Sequence, residues 1–215
     1  MSMEERKIKI PAKCNKKIEL KAIPGHFATN HSHINYYLDM TPIKCRHTEA
    51  QLVAKELVKA YRNTTAVDTV VCMDGCEVIG AYLAEELTAA GIMSLNSHEC
   101  VNVITPEINS SGQIIFRDNI EPMVMNKHIV LVLASATTGK TIQQSMEGLR
   151  YYGGILEGVG ALFSAVDEVD GIPINSIFTL DDVSGYQTYN PGDCPHCQSG
   201  RKLDAIVNSF GYSKI

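Results

Sequence analysis

The segment with the clearest chemical character is a run of small and hydroxyl residues at 134–141, which follows the apolar residues 129–133. The apolar run is typical of a buried strand, and the residues after 140 have helical spacing. In a strand–loop–helix of this kind, backbone N–H groups, hydroxyls and the positive helix end form a cradle for an anion. The phosphate-binding residues that we predict are Ser135, Ala136, Thr137, Thr138, Gly139, Lys140 and Thr141. A tight turn built from small residues, without a ligand, is the alternative.

One kind of phosphate loop is the P-loop, Gly-x-x-x-x-Gly-Lys-Ser/Thr, which residues 134–141 nearly match, with Ala134 at the first position. A P-loop NTPase usually opens its domain with this loop and follows it with a strand that ends in a magnesium-binding aspartate. Here the loop comes late in the chain, and the downstream candidate, Asp167, is a weak one. A P-loop-type nucleotide-binding protein is therefore the less favoured interpretation.

Four segments, taken in order, carry a second interpretation. They are Gly25-His26-Phe27 leading to Tyr36-Tyr37-Leu38-Asp39, Val70–Gly75 followed by Ala81–Ala84, Thr137–Thr141, and Thr188–Cys197. Together they resemble the type I phosphoribosyltransferase family, and within it the bacterial orotate phosphoribosyltransferases. The resemblance covers roughly residues 24–200. Each motif alone is weak, but four in the right order are a strong argument for common ancestry.

The resemblance implies an α/β fold with a mainly parallel sheet flanked by helices, a small N-terminal hood and a cysteine-containing tail. It implies a 5′-phosphate loop at 137–141, a pyrophosphate-side loop at Asp74 and Gly75, and Tyr36 or Tyr37 beside the base. The implied reaction converts orotate and phosphoribosyl pyrophosphate (PRPP) to orotidine 5′-phosphate and pyrophosphate, in pyrimidine biosynthesis. Mg²⁺ would accompany PRPP, and the protein would be a cytoplasmic homodimer.

Three departures from the family pattern concern charge. The acidic pair that holds the ribose hydroxyls and stabilises the developing positive charge is replaced by Leu133 and Ala134. The loop at 105–121, which should bring cations to the pyrophosphate, has no lysine and one arginine, Arg117. Near the N-terminus, the family has Ser-Gly-Arg/Lys, whereas this chain has Asn-His-Ser-His at residues 30–33. A full positive charge is thereby replaced by histidines, which are at best partly charged near pH 7.

We therefore predict a protein that binds a nucleotide or sugar phosphate but whose PRPP-dependent transfer is lost or altered. An active orotate phosphoribosyltransferase is the alternative, and no catalytic residue is assigned.

The residues Cys194-Pro-His-Cys197 have the spacing of half a zinc site, which needs two further ligands. Zinc is possible here if the tail folds back on the N-terminal part, and two free thiols are the alternative. The candidates for the missing ligands are Cys45, His47, His26, His31 and His33. In the aromatic pair Tyr36-Tyr37, alternation along a strand sends one side chain to the core and one to the ligand side.

The elements that must position these residues follow from periodicity. A first helix is expected from a capping box at Thr48-Glu-Ala-Gln51 to about Arg62, and a second over 77–90. Strands are expected at 69–73, 101–104, 113–117, 129–133, 159–166 and 176–180, with a helix at 140–152. Strand–turn–helix units in series indicate an α/β fold whose ligands bind at the carboxyl ends of the strands. We divide the chain into an arm and hood (1–46), a core (47–186) and a tail (187–215).

The composition sets the remaining limits. The chain has 215 residues, 19 basic against 24 acidic, and a net charge of −5, which argues against nucleic-acid binding. No apolar run is long enough for a membrane span, and seven scattered cysteines favour reduced thiols in a cytoplasm. The charge is uneven, because residues 61–125 contain two arginines, no lysine and nine acids. In this family that stretch supplies the cations that contact phosphates.

Overall fold

The computed structural model describes residues 3–89, 95–96, 100–110, 112–137 and 139–215. The α-helices are α1 (Thr41–Cys45), α2 (His47–Leu57), α3 (Glu77–Thr88), α4 (Lys140–Tyr151) and α5 (Pro195–Gln198). The strands are β1 (Ile8–Pro11), β2 (Glu19–Ala28), β3 (His33–Asp39), β4 (Thr69–Cys72), β5 (Asn102–Ile104), β6 (Glu107–Ile108), β7 (Ile114–Ile115), β8 (His128–Ala136), β9 (Ile155–Ser164), β10 (Glu168–Val169), β11 (Ile172–Thr179), β12 (Thr188–Tyr189), β13 (Ala205–Asn208) and β14 (Gly211–Lys214).

The central sheet has the order β10-β11-β9-β8-β4-β5, in which the last five strands are parallel and β10 is an antiparallel edge. Both faces of β8 are covered. Val130 and Val132 pack into the apolar cluster that contains α2 and α3, whereas Leu131 and Leu133 pack into the cluster that contains α4. A parallel strand buried on both faces is uniformly apolar, which is why residues 129–133 were recognisable. The predicted α/β fold with a mainly parallel sheet is confirmed.

A second sheet forms the hood over the carboxyl ends of the central strands. Its order is β12-β3-β2-β13-β14, with β1 also paired to β2. Strands from both ends of the chain therefore build it, since β13 runs parallel to β2 with Ala205 opposite Phe27. Sequence periodicity did not indicate β12, β13 or β14. The predicted division into residues 1–46, 47–186 and 187–215 stays a prediction.

Three expected details of the elements differ from the structure. Helix α2 begins two residues earlier than predicted, with Arg46 rather than Thr48 as its N-cap, and the capping box is absent, because the Thr48 hydroxyl donates to the neighbouring Glu49 carboxylate instead. The helix ends at Leu57 and continues only as a 3-10 turn to Ala60. Helix α3 ends at Thr88, and its predicted end at Ala90 lies outside the described residues. Within the described ranges, no helix has the length and apolar character that crossing a membrane requires.

Candidate functional site

A cavity of about 480 Å³ lies between the hood and the carboxyl ends of the central strands. Pockets of roughly 300–1,000 Å³ are typical of small-molecule sites, and the edge where parallel strands end is where such ligands bind. Four segments form much of its wall, one from the hood hairpin, one from the end of β8 and the start of α4, one from the tail and one from the turn between β13 and β14. They are residues 29–32, 134–142 without Thr138, 188–190 and 207–209.

The predicted phosphate loop forms one wall of this cavity. Ser135 and Ala136 are the last residues of β8, and α4 begins at Lys140. Thr138 lies outside the described residues, whereas all six other residues of the predicted set line the cavity. The strand–loop–helix that the sequence indicated is therefore present, with its loop open to the cavity.

Gly139 is the N-cap of α4 and has a left-handed backbone, with φ of +74°. A Cβ atom at this position would lie 3.0 Å from Cγ2 of Val169, so the site favours glycine for both conformation and space. Because glycine has no side chain, it cannot cap the first N–H groups of the helix. Lys140 follows at the first helical position, where a cation opposes the positive helix end. A bound anion would accept hydrogen bonds from the first N–H groups of the helix and relieve this repulsion.

Asp74 follows β4 and reaches the same cavity. It has a positive φ of 58°, and Gly75 after it has φ of +76°. Burial raises the pKa of the Asp74 carboxyl above its ordinary value, although hydrogen bonds from Ser209 and the N–H of Ala134 and the charge of Lys44 oppose this. Asp74 lines the cavity, whereas Gly75 is not among the described residues that do so. Of the predicted pyrophosphate-side pair, the structure thus brings Asp74 to the cavity.

Lys44 is a cation in the cavity wall that the sequence analysis missed. It lies in α1, is 5% exposed, and donates hydrogen bonds of 2.6 Å to the backbone carbonyls of Asp74 and Ser209. The burial of an ammonium group costs free energy unless its three N–H donors have partners. These two carbonyls accept hydrogen bonds from two of the three donors. A single lysine in the short segment Pro-Ile-Lys-Cys gives no signal of burial, because lysine is ordinarily exposed.

The two positions where the family pattern has acids differ in their surroundings. Leu133 is 1% exposed and packs in the cluster with α4, whereas Ala134 lines the cavity. This difference follows from the alternation of side chains along β8. The backbone N–H of Ala134 donates a long hydrogen bond of 3.4 Å to Oδ2 of Asp74. A carboxylate from the neighbouring strand therefore lies beside the position where the family's second acid would be.

Arg117 is paired away from the cavity. Its Nε donates to Oε1 of Glu107 at 2.8 Å and its Nη2 to Oε2 at 2.5 Å, across the short ribbon of β6 and β7. The described lining of the cavity does not include Arg117. In the structure, the one arginine of the 105–121 segment forms an exposed ion pair with a carboxylate of the same segment.

Alternation also separates the two predicted base-side tyrosines. Tyr37 is 6% exposed, lines the cavity, and makes an edge-to-face contact with Tyr212 at a centroid distance of 5.4 Å. Burial, with a smaller effect from Asp39, raises the pKa of Tyr37 to about 12, so the phenol is neutral at ordinary pH. Tyr36 is half-buried against the hood and is not among the described residues that line the cavity.

A second group of chemically capable side chains lies next to the cavity. One ligand atom from each of His26, His33, Cys194 and Cys197 lies within 4.8 Å of all the others. The tail thus folds back on the hood, as the zinc hypothesis required, and this group could hold a metal ion. Of the five candidates for the missing ligands, the structure brings His26 and His33 to the two cysteines. Cys45, His47 and His31 are outside the group.

Comparison with known proteins relates the chain to phosphoribosyltransferases, although no family model matches it. It is 27% identical over 184 residues to an orotate phosphoribosyltransferase of Pelotomaculum thermopropionicum. This alignment covers 83% of this chain and 86% of the relative. It is 26% identical over 183 residues to one of Caldanaerobacter subterraneus subsp. tengcongensis, with the same coverage of both chains.

Solved structures show the same fold at lower identity. An orotate phosphoribosyltransferase of Mycobacterium tuberculosis, in complex with Fe(III) dicitrate, matches with a TM-score of 0.51 and 15% identity, over 71% of this chain and 85% of that one. An adenine phosphoribosyltransferase of Thermoanaerobacter pseudethanolicus matches with a TM-score of 0.50 and 18% identity, over 82% and 97%. The resemblance predicted from the four motifs is therefore confirmed, and the fold is that of a type I phosphoribosyltransferase.

Proposed function

We propose that this orotate phosphoribosyltransferase-like chain binds a nucleotide or sugar phosphate in the cavity beneath the hood, and that PRPP-dependent transfer is lost or altered. The phosphate would lie against the loop at 135–141 and the N-terminus of α4. The observation that carries this proposal is Gly139, whose left-handed N-cap leaves the first N–H groups of the helix without a side-chain cap beside the cavity.

Two cations support the binding of an anion there. Lys140 lies at the start of α4, and Lys44 lines the same cavity, with its ammonium against carbonyl oxygens. Both face a cavity whose volume of about 480 Å³ suits a mononucleotide better than a larger ligand. On the base side, Tyr37 supplies a neutral aromatic ring.

The charged residues of the site support the proposal that transfer is lost or altered. Leu133 and Ala134 replace the acidic pair, and Arg117 is paired with Glu107. Without the family's acidic pair beside the ribose, and with Arg117 paired to Glu107, the developing charges of transfer would have less stabilisation than in the family pattern. The removal of a single preorganised polar group from such a site commonly costs about 3–4 kcal/mol of transition-state stabilisation.

An active orotate phosphoribosyltransferase is the second candidate, and Asp74 favours it. This carboxylate lies at the N–H of Ala134, beside the position of the second family acid, and Lys44 adds a cation that the sequence did not reveal. In this candidate, Asp74 would hold Mg²⁺ or a ribose hydroxyl of PRPP. The cytoplasmic location and the homodimer stay predictions of the resemblance.

Two measurements test the proposal. Isothermal titration calorimetry should show binding of uridine 5′-monophosphate and of ribose 5-phosphate, whereas uridine, which lacks the phosphate, should bind much more weakly. A coupled assay with orotate, PRPP and Mg²⁺ should release no pyrophosphate above the rate without enzyme. Equal affinity for uridine and its monophosphate would contradict phosphate binding. Turnover comparable to that of an orotate phosphoribosyltransferase would establish the second candidate instead.

A further inference from the structure

We propose that His26, His33, Cys194 and Cys197 hold one tetrahedral Zn²⁺ ion, which fastens the tail to the hood. The group joins distant parts of the sequence, because His26 and Cys194 are separated by 168 positions. The two histidines come from neighbouring strands of the hood. Of the two cysteines, Cys194 is the N-cap of α5 and Cys197 lies within this helix. This site is independent of the proposed phosphate binding.

Four of the six separations between ligand atoms are close to those of a zinc tetrahedron, and all six are within 4.8 Å. With Zn–S of about 2.3 Å and Zn–N of about 2.0–2.1 Å, a sulfur and a nitrogen ligand lie about 3.6 Å apart and two nitrogens about 3.4 Å apart. Sγ of Cys194 lies 3.5 Å from Nε2 of His26, and Sγ of Cys197 lies 3.6 Å from the same nitrogen. Cys197 Sγ lies 3.3 Å from Nδ1 of His33, and the two histidine nitrogens are 3.1 Å apart.

A neighbouring carbonyl fixes the orientation of His26. Its Nδ1 lies 2.9 Å from the backbone oxygen of Arg201, and a carbonyl oxygen can only accept a hydrogen bond. The proton of neutral His26 is therefore on Nδ1, and the lone pair of Nε2 points toward the two sulfurs and His33. Metal-binding histidines characteristically donate their second N–H to such an oxygen.

The hairpin and the tail motif place the four ligands on one side. Strands β2 and β3 pair Ala28 with His33, and His26 lies two positions before Ala28, in the irregularity of the pairing between Pro24 and Phe27, which directs its ring toward His33. The two rings are accordingly close, with centroids 5.0 Å apart. In the tail, α5 is a single turn, which turns Cys197 back toward Cys194.

The chemistry of the donor set selects zinc. Two thiolates and two imidazoles in a tetrahedron are the ligands of structural zinc sites. On binding, the two thiols release their protons to solvent, each sulfur and each free imidazole nitrogen gives an electron pair to the ion, and no group changes oxidation state. The product has no net charge, which suits its burial, since Cys194 is 0% and His26 1% exposed.

The ion would tie together two parts of the cavity wall. The hairpin loop at 29–32 lies between the two histidines, and residues 188–190 precede the two cysteines in the tail. Both segments line the cavity. A zinc ion at the four ligands would hold them in a fixed relation to each other.

The test is metal analysis of protein made without a polyhistidine tag, incubated with zinc and dialysed against metal-free buffer. We expect one zinc per chain in the parent and clearly less in Cys197→Ser and His33→Asn. Cys197 is exposed and His33 half-buried, so both variants should fold, which circular dichroism checks. The matched controls are Cys45→Ser and His47→Asn, which lie outside the four ligands and should keep the zinc.

A second measurement does not depend on variants. When Co²⁺ replaces zinc in the parent, the visible spectrum should show the intense d–d bands of a tetrahedral ion and a thiolate-to-cobalt charge-transfer band. A parent that keeps no zinc, an octahedral cobalt spectrum, or equal zinc loss from the ligand variants and their controls would each overturn the proposal.

Discussion

The ammonium of Lys44 donates a hydrogen bond of 2.6 Å to the backbone carbonyl of Asp74, and a second of equal length to the carbonyl of Ser209. One side chain thus connects α1, the turn after β4 and the turn between β13 and β14. All three residues line the cavity. The hood and the central sheet therefore meet at a positive charge, which lies where an anionic ligand would need one.

Replacement of this charge should weaken both ligand binding and folding. Lys44→Met keeps most of the side-chain volume but removes the ammonium, which leaves the carbonyls of Asp74 and Ser209 unpaired. We expect a loss of about 1–3 kcal/mol in the free energy of unfolding, measured in urea, because buried acceptors lose their donor. By calorimetry, the affinity for uridine 5′-monophosphate should fall by roughly tenfold, the loss of about one charge-assisted contact. Lys59→Met, on the exposed surface of the 3-10 turn after α2, is the matched control. Equal affinity of the two variants would contradict the placement of the phosphate near Lys44.

The left-handed N-cap of α4 gives a second prediction. Gly139→Ala must place a Cβ at φ of +74° and 3.0 Å from Val169, whereas Gly171→Ala has φ of +77° and nothing within 4 Å. The backbone cost, about 1–2 kcal/mol, should be common to both variants. Any excess in Gly139→Ala, measured by urea unfolding, reports the contact with Val169. Only Gly139→Ala should also weaken nucleotide binding, since its loop lines the cavity. A weakening of similar size in Gly171→Ala would show that the effect is not local to the loop.

Acids restored at the two positions before Ser135 should behave differently from each other. Leu133→Glu puts a carboxylate into the apolar cluster with α4, and we expect it to destabilise the fold by about 3–5 kcal/mol. Ala134→Asp points into the cavity beside Asp74 and should cost much less. Thermal and urea unfolding of the two single variants decide this. The single variant Ala134→Asp is therefore the better one for a gain of pyrophosphate release, and similar stability losses in both would refute the assigned orientations.

The ion pair between Arg6 and Asp204 predicts a dependence of stability on pH. Burial opposes ionisation of Asp204, but hydrogen bonds from Arg6 at 2.6 Å and from the N–H of His26 at 2.8 Å outweigh it, so its pKa lies below the ordinary value of 3.8. A carboxyl with a lowered folded-state pKa stabilises the fold above the unfolded-state pKa, and loses this contribution as the pH falls through the folded-state value.

Asp204→Asn should therefore be less stable than the parent by about 1–3 kcal/mol at pH 7. The difference should stay constant down to about pH 4 and shrink below pH 3.8, the ordinary value for aspartate. Urea unfolding at a series of pH values measures it, with Asp181→Asn, an exposed aspartate, as the control. A difference that grows on acidification would have the wrong sign.

Chelation gives a fifth prediction, which depends on the zinc site alone. A chelator should lower the melting temperature of the parent, because the ion binds the folded arrangement of ligands more tightly than the unfolded chain. Cys197→Ser should start from the lower value and change little on chelation. Differential scanning calorimetry measures both shifts, with Cys45→Ser expected to follow the parent. An unchanged melting temperature of the parent after complete removal of its metal would contradict a stabilising role.

The core of the fold could be predicted because its signals are local. The apolar run at 129–133 and the small residues after it mark a buried strand and its loop within a few positions. The strand at 155–164 was harder to delimit, since Gly158 and Gly160 interrupt its start and the prediction began at 159. In the structure, a Cβ at position 158 would lie 2.7 Å from the ring of Tyr61, so this glycine allows close packing in a continuous strand.

The periodicity of the sequence could not predict interactions between distant segments. Thr48 had the sequence of a capping box, yet its hydroxyl bonds to Glu49, because a side-chain partner one residue away competes with the backbone. Strand β13 has only four residues and pairs with β2 across the whole chain, so its existence depends on tertiary context. For the metal group, the cysteine spacing was readable, but the choice of His26 and His33 over three other candidates required the register of the hood hairpin.

The parallel pairing of β13 with Phe27 and Ala28 of β2 also constrains biosynthesis. Ala205 leaves the ribosome 178 residues after Phe27, the difference between the two paired positions, 205 and 27. At about 5–20 residues per second, the nascent chain spends roughly 9–36 s with this edge of β2 unpaired. An open strand edge can pair with other chains. The nascent hood is therefore most vulnerable to misassembly in this interval, which ends soon after the last strand of the central sheet, β11, has been made, because β11 ends only 26 residues before Ala205.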